Sequence, residues 1–344
     1  MTDEERKPKS QRAPPGNAAP PARPGAGWVF RRHTFIDCAT QGYLALVGLI
    51  VLGFHGRSVP FWPLLVAAHL AGIVLVHALI GLHAARPSNR ALDLLRHFYP
   101  MLLYAGLYCE TGKLNHLFVA GSLDSFFIRA DGRIFGFQPS VAFMNWLPWP
   151  AVSEVFYAAY FSYYVMLAGV GVALYCRNRG QFFHYVSVIS FLFYVCYLIY
   201  IFLPVEGPQI FFRAPPGGPL PAGVGPVEAP AFPAAVAAGP FFRIMGWIYR
   251  TFEAPGAAFP SSHVAVAIGT VCFSFRYLRP IRRAHLVVVV LLCLSTVYCR
   301  YHYAVDAVAG GLTAAALIPL GDRLYFKFRT AAESEPPPRG ADSS

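Results

Sequence analysis

Apolar residues in this chain are gathered into about eight long runs, which lie near 36–54, 61–84, 97–114, 149–176, 182–204, 258–278, 285–301 and 303–321. A helix crosses the hydrocarbon core of a bilayer with roughly 20 apolar residues, and any spanning segment must satisfy its backbone hydrogen bonds internally. The runs therefore predict an all-α, polytopic membrane helix bundle of about eight transmembrane helices over residues 34–329.

The composition favours a membrane protein over a nucleic-acid-binding one. Only 13% of the residues are charged, whereas an average soluble domain carries about 25%. The net charge of +11 would suggest nucleic acid if the basic residues formed one soluble face. They fall instead in short clusters between the apolar runs, so we expect no nucleic-acid partner.

The terminal segments 1–33 and 330–344 are rich in Pro, Gly, Ala and charge, and we predict disordered tails there. No cleavable signal peptide is evident, so the first helix is expected to be retained. Of the 28 basic residues, 20 fall on the side of the two termini. Cytoplasmic loops carry the excess of Lys and Arg, so both termini should be cytoplasmic. Segments 115–148, partly amphipathic, and 205–257, a connector or a functional loop, should lie outside.

Two short stretches place ionisable residues at the ends of apolar helices, where such groups are costly and usually functional. The first, AFPSSHVAVAIGT, contains Pro260, Ser261, Ser262 and His263. It is typical of a helix start, with Ser at the cap and the histidine in the first turn. Because the amides and positive dipole end of a helix start favour anions, we expect a phosphate-binding site here.

The second stretch, STVYCRYHYAVDAVAGG, holds His302 and Asp306 four residues apart. On a helix this spacing places both side chains on one face. The carboxylate could then fix the imidazole tautomer and leave the other ring nitrogen nucleophilic. The alternation of spans brings this pair and His263 to the same, extracytoplasmic side, so we expect the three residues to meet.

These motifs resemble the type 2 phosphatidic acid phosphatase superfamily of integral membrane enzymes. PSSH at 260–263 is similar to its Pro-Ser-Gly-His motif, and Ser295, His302 and Asp306 match its Ser-Arg, five residues, His, three residues, Asp motif. Thr296 stands at the position of the arginine, and the family's lysine motif is missing. With these departures the sequence resembles the branch of inositol phosphorylceramide synthases. Three stretches within 106–175 also resemble that branch, namely GLYCETGKLNHLF, DGRIFGFQPS and YAAYFSYY.

The resemblance implies a role for each site residue. His302 would attack phosphorus to give a phosphohistidine, Asp306 would orient it, and His263 would protonate the leaving alkoxide. Ser261 and Ser262 would hold phosphoryl oxygens together with backbone amides. Arg300 could replace the lost positive charge, or it could anchor lipid headgroups. No cofactor and no metal are implied.

The function predicted on this basis is a metal-independent lipid phosphotransferase, which moves an inositol phosphate-like headgroup between lipids of the bilayer at the extracytoplasmic or lumenal face. A lipid phosphate phosphatase, of the phosphatidate or polyprenyl phosphate type, differs only in using water as acceptor. A transporter with intramembrane ionisable residues is an alternative of another class.

Other interpretations of the histidines stay open. His302 and Asp306 could be a buried structural pair, or with His263 they could bind zinc or iron. His69 and His77 could be haem ligands or merely packed within their span.

Overall fold

The computed structural model describes residues 32–56, 59–212, 232–252, 254–329 and 333. The described residues from His33 onward belong to one compact unit. The predicted tails 1–33 and 330–344 therefore fall almost entirely outside the described residues, as does much of the predicted outer loop 205–257.

The described chain is all-α, as predicted. Its helices are α1 Phe35–Phe54, α2 Trp62–Ala85, α3 Arg90–Leu114, α4 Asp124–Phe135, α5 Pro139–Trp146, α6 Pro150–Arg177, α7 Arg179–Phe202, α8 Pro208–Phe211, α9 Ala234–Ala237, α10 Pro240–Phe252, α11 Ser262–Tyr277, α12 Arg282–Tyr298 and α13 Ala304–Phe328. Among the described residues the only β-type pairing is an isolated bridge between Val205 and Ala257.

Five helices, α1, α2, α6, α7 and α13, are long and apolar enough to cross a membrane. On α2, large apolar side chains are exposed over much of the surface, among them Leu64, Leu70, Val74 and Leu75. Contiguous apolar surface of this kind is rarely left uncovered in water, so the helices are those of an integral membrane protein. The remaining long helices, α3, α11 and α12, coincide with three further apolar runs, and their membrane crossing is part of the topology proposed below.

Helix α7 is the centre of the bundle and packs against α1, α3, α6, α11 and α13. Several of its large side chains, including Tyr185, Tyr197 and Tyr200, are fully buried. Helix α11 contacts α6, α7, α12 and α13. The helices that carry the two predicted motifs are therefore direct neighbours within the core.

Helices α11 and α13 approach each other closely at Gly310. A Cβ atom added there would lie 2.5 Å from the carbonyl oxygen of Ser261 and 3.0 Å from Cβ of Val264. Only glycine allows this approach without displacing the neighbouring backbone. The AGG sequence after Asp306 thus sets the distance between the two helices that bear the site.

The segment predicted to be partly amphipathic, 115–148, contains the short helices α4 and α5. Helix α4 packs against α13, and α5 packs against α12. The buried residues of α4, Asp124, Phe127, Ile128 and Asp131, recur at helical spacing along one face.

Candidate active site

Helix α11 begins with a cap that the sequence predicted. Ser261 has extended backbone angles, and its Oγ accepts a hydrogen bond of 3.3 Å from the amide of Val264. This bond satisfies one of the amides that a helix start leaves without an intrahelical partner. His263 is the second residue of the helix. Ser261 and Ser262, which precede it, are both buried.

Tyr200 of α7 holds the same helix start from the side. Its hydroxyl donates to the carbonyl oxygen of Pro260 at 2.9 Å and accepts from the amide of Ser262 at 3.2 Å. The central helix of the bundle therefore fixes the backbone that precedes His263. No sequence pattern indicated this contact, because Tyr200 is one of several tyrosines in an apolar run.

The turn between α12 and α13 carries Arg300 and His302. The amides of Tyr301 and His302 both donate to the carbonyl oxygen of Thr296, at 3.1 and 3.0 Å. Arg300 has a φ of 63°, in the left-handed region that residues other than glycine seldom adopt. This tight turn reverses the chain within five residues, so that α13 starts beside α11.

His302 lies before α13 rather than on it. The helix is capped at Tyr303 and begins at Ala304, so Asp306 is its third residue. The expectation that the two side chains share a helix face is therefore wrong for His302, although they still approach each other. Nδ1 of His302 lies 3.8 Å from Oδ2 of Asp306, and the same oxygen accepts a hydrogen bond of 3.0 Å from the amide of Tyr303.

The structure brings the two motifs together. The rings of His263 and His302 have centroids 5.8 Å apart and planes inclined at 58°. His302 and Asp306 are buried, whereas His263 is partly exposed. The ring of His263 also packs against Tyr160 and Tyr163 of α6, with centroid distances of 4.9 and 4.5 Å. Those tyrosines belong to the YAAYFSYY stretch, whose role the residues alone did not reveal.

His263 and Ser262 line a cavity of about 450 Å³ between α3, α6, α7, α10 and α11. Its walls are mostly aromatic, and they include Tyr104, Tyr108, Tyr163, Tyr164, Tyr197, Trp247 and Tyr249. The lining also includes Met101, Ala105 and Leu167. A largely apolar chamber thus reaches the first turn of α11.

Arg300, the predicted substrate-binding cation, is buried in the same turn as His302. Its guanidinium carbon lies 4.8 Å from the centroid of the Phe232 ring, a cation–π distance. Burial lowers the pKa of Arg300, and the nearby Tyr157 and Tyr298 oppose that shift. The structure places this side chain towards the segment that precedes α9.

The structure also bears on the alternative roles of the histidines as metal ligands or haem ligands. Within the described residues, no group of three or more His, Cys, Asp or Glu side chains has an arrangement that could hold a metal ion. Nε2 of His69 lies 3.5 Å from Oε2 of Glu110, and the ring of His77 lies 5.2 Å from that of His33. Because these two histidines contact different partners, the haem interpretation receives no support.

The fold and the site together define a helical integral membrane protein in which two histidines and an aspartate from separate motifs meet beside an apolar cavity. Residues 126–320 match the sequence profile of the PAP2 superfamily, which is more than half of the chain, so the protein belongs to this superfamily. Its members are typically phosphatases, and the match includes both motifs, which supports an enzyme of phosphate chemistry. Searches of curated proteins and of solved structures found no significant match.

Proposed function

We propose that the protein is a lipid phosphotransferase that acts through a phosphohistidine on His302. The observation that carries this proposal is the convergence of His263, His302 and Asp306, of which His263 lines a largely apolar cavity. Phosphoryl transfer requires a nucleophile, a proton donor for the leaving group and an orienting group. The three side chains supply these roles within one small volume.

In the first half-reaction, Nε2 of His302 attacks phosphorus while Asp306 faces Nδ1. The N–P bond forms and the P–O bond to the leaving alkoxide breaks, and protonated His263 gives its proton to that alkoxide. In the second half-reaction, neutral His263 removes a proton from the acceptor hydroxyl, which attacks phosphorus and releases His302. Both histidines return to their starting protonation states, so the cycle balances without any further reactant.

The start of α11 would hold the phosphoryl oxygens. Its amides point along the helix axis, and the positive end of the dipole favours an anion. The Ser261 hydroxyl accepts from Val264 and keeps its own proton for donation to a phosphoryl oxygen. Ser262 and Arg300 are the other proposed binding residues, and Arg300 supplies positive charge in the turn next to His302.

The cavity suits a hydrocarbon chain. A group the size of a water molecule or a methylene takes up roughly 30 Å³ in a liquid, so about 450 Å³ has room for one chain of on the order of 15 such groups. Along α3 the lining runs from Tyr108 to Met101, about 10 Å at the helical rise. Trp247, Phe252 and Tyr164 are exposed on the α6 and α10 side, where a lipid tail could enter from the bilayer.

The proposed topology has eight spans, namely α1, α2, α3, α6, α7, α11, α12 and α13. Both termini are cytoplasmic, and the active site is extracytoplasmic or lumenal. The excess of basic residues on the side of the termini supports this orientation. The number of proposed spans is even, which is consistent with two termini on one side. The start of α11 and the α12–α13 turn lie together, which is consistent with one active site on the other side.

The donor is proposed to be a lipid phosphodiester with a polyol headgroup such as inositol phosphate, on the resemblance to the inositol phosphorylceramide synthase branch. A lipid phosphate phosphatase is the second candidate, because members of the superfamily are typically phosphatases. The two functions share the first half-reaction and differ only in the acceptor, an alcohol or water.

The test uses purified protein in detergent with labelled lipid phosphodiesters and monoesters, each with and without a polyol or ceramide-like acceptor, and with and without chelator. The phosphotransferase predicts acceptor-dependent headgroup transfer that persists in chelator. Release of free phosphate or headgroup independent of acceptor would instead establish the phosphatase. His302→Ala is the inactive control, and activity dependent on added zinc would contradict the metal-independent mechanism.

A further inference from the structure

Two carboxylates on α4 are buried against the start of the helix that carries Asp306. Asp124 and Asp131 are both completely inaccessible to solvent. Buried carboxylates are costly unless they are hydrogen-bonded. Oδ1 of Asp124 accepts from the Tyr303 hydroxyl and from the amide of Gly207, each at 2.8 Å. These contacts tie α4 to the active-site turn and to the chain that follows α7.

Asp131 makes the more direct contact with α13. Its two carboxylate oxygens each accept one backbone hydrogen bond of 3.0 Å, from the amides of Ala304 and Val305. These are the first two residues of α13, whose amides have no acceptor within the helix. A helix start is usually capped by a side chain next to it in sequence, but here the cap is 173 residues away.

The position of this cap relates it to the chemistry. His302 lies two residues before Ala304, and Asp306 lies one residue after Val305. The approach of His302 to Asp306 therefore depends on where the first turn of α13 sits and on how firmly it is held. The Asp306 carboxylate takes the Tyr303 amide and Asp131 takes the next two, so three consecutive amides are bound by acidic side chains.

We propose that Asp131 is a positioning residue, which holds His302 against Asp306 by anchoring the first turn of α13 to α4. A carboxylate suits this role because its two oxygens match two parallel amides, and its charge complements the positive end of the helix dipole. It also occupies the α13 amides with a built-in anion, which leaves the α11 start to receive the substrate phosphate. This inference rests on the proposed function and adds α4 to the machinery of the site.

The test compares Asp131→Ala and Asp131→Asn with Asn89→Ala. Asn89 is the matched control, because its Oδ1 accepts from two amides, Ala91 and Leu92, at the start of α3. Displacing a catalytic group by about 1 Å can cost on the order of 100-fold in rate. We expect kcat to fall about 100-fold in Asp131→Ala with KM within about threefold, and by less in Asp131→Asn, which keeps one acceptor. Asn89→Ala should keep the wild-type kcat.

Size-exclusion elution and thermal unfolding in detergent establish that each variant is folded. If Asp131→Ala does not fold, the isosteric variant Asp131→Asn carries the test in its place. A wild-type kcat in a folded Asp131→Ala protein would overturn the proposal. So would a rise in KM alone, which would make Asp131 a substrate-binding residue, or an equal loss of kcat in Asn89→Ala. If the wild-type protein transfers no phosphoryl group from any ester, the proposed function fails. That result is distinct from the three variant results, which concern only the role of Asp131.

Discussion

The backbone amide of Ser261 donates a hydrogen bond of 3.2 Å to the carbonyl oxygen of Asp306. This bond joins the start of α11 directly to the first turn of α13, so the two motifs are connected through the main chain as well as through their side chains. The close approach at Gly310 lies one turn further along, so the two helix starts are in contact at two successive turns of α13. These backbone contacts constrain the distance between His263 and His302 together with the side-chain contact of Asp131.

The first prediction concerns the nucleophile. His302→Ala should abolish formation of the covalent phosphoenzyme, because it removes the attacking nitrogen. His263→Ala should impair departure of an alkoxide yet still form the intermediate from a p-nitrophenyl ester, whose leaving group needs no proton. The measurement is acid-quenched trapping of radiolabelled phosphate on the protein, followed by peptide mapping.

His285→Ala on α12 is the control for loss of a buried histidine outside the site, where the ring contacts Ser274 at 2.6 Å. It should form the phosphoenzyme at the wild-type level. Label that persists in His302→Ala, or that maps to Ser261 or Ser262, would mean that His302 is not the nucleophile.

The second prediction concerns the orienting carboxylate. Asp306→Asn should lower kcat by orders of magnitude, about 10⁴-fold in the comparable serine triad, because the imidazole loses its charged partner. Asp322→Asn makes the same change near the other end of α13, where the carboxylate binds Arg276 and His184 at 2.6 and 2.8 Å. Steady-state kinetics should show near wild-type kcat for Asp322→Asn, and comparable losses in both variants would argue for a purely structural role of Asp306.

The third prediction is a pH dependence. Burial lowers the pKa of His302 from 6.5 to about 4. Only the neutral imidazole attacks phosphorus, so the nucleophile stays competent as pH falls until this lowered pKa is reached. The rate of phosphoenzyme formation from a p-nitrophenyl ester should stay constant above about pH 5 and then fall. A midpoint near 6.5 would show that His302 is solvated in the working enzyme.

The helices were largely predictable from the sequence, because each apolar run is long enough to reveal a helix. All eight runs coincide with long helices, and the Ser261 cap lies where the PSSH pattern indicated. The run near 97–114 contains Glu110 and Lys113 towards its end, and α3 is not among the helices that are long and apolar enough to cross a membrane. Polar residues at the ends of runs obscured the helix boundaries, and α3 begins earlier than predicted, at Arg90 after the Asn89 cap.

For the proposed site, the sequence indicated that His263, His302 and Asp306 lie close together, but it did not indicate their local geometry. Spacing alone indicated that His302 and Asp306 meet, but it assigned both to a helix. The turn at Arg300, with two amides on the Thr296 carbonyl, puts His302 outside α13. The contact of Asp131 with α13 joins residues too far apart in sequence for any local pattern to reveal, since it depends on the packing of α4.

The fourth prediction tests the topology. In a protein without its seven native cysteines, single cysteines are introduced at Pro280, in the α11–α12 connection, and at Phe137, an exposed residue between α4 and α5. An impermeant thiol reagent added to intact cells should label position 137 and reach position 280 only after the membrane is permeabilised. The reverse pattern would place the active site on the cytoplasmic side, with the basic residues outside.

The last prediction concerns the contact between α11 and α13. Gly310→Ala introduces a Cβ only 2.5 Å from the Ser261 carbonyl oxygen, so the two helix starts must separate. Overpacking of this kind costs about 1–3 kcal/mol of unfolding free energy. The displacement should also lower kcat, because His263 lies on α11 and His302 directly precedes α13, so that separating the helices moves the two histidines apart. Gly311→Ala is the matched control, since its added Cβ meets nothing within 4 Å. Thermal unfolding in detergent and kcat are measured for both. Gly311→Ala should resemble the wild type, and a Gly310→Ala protein with unchanged kcat would show that catalysis tolerates separation of the two helices.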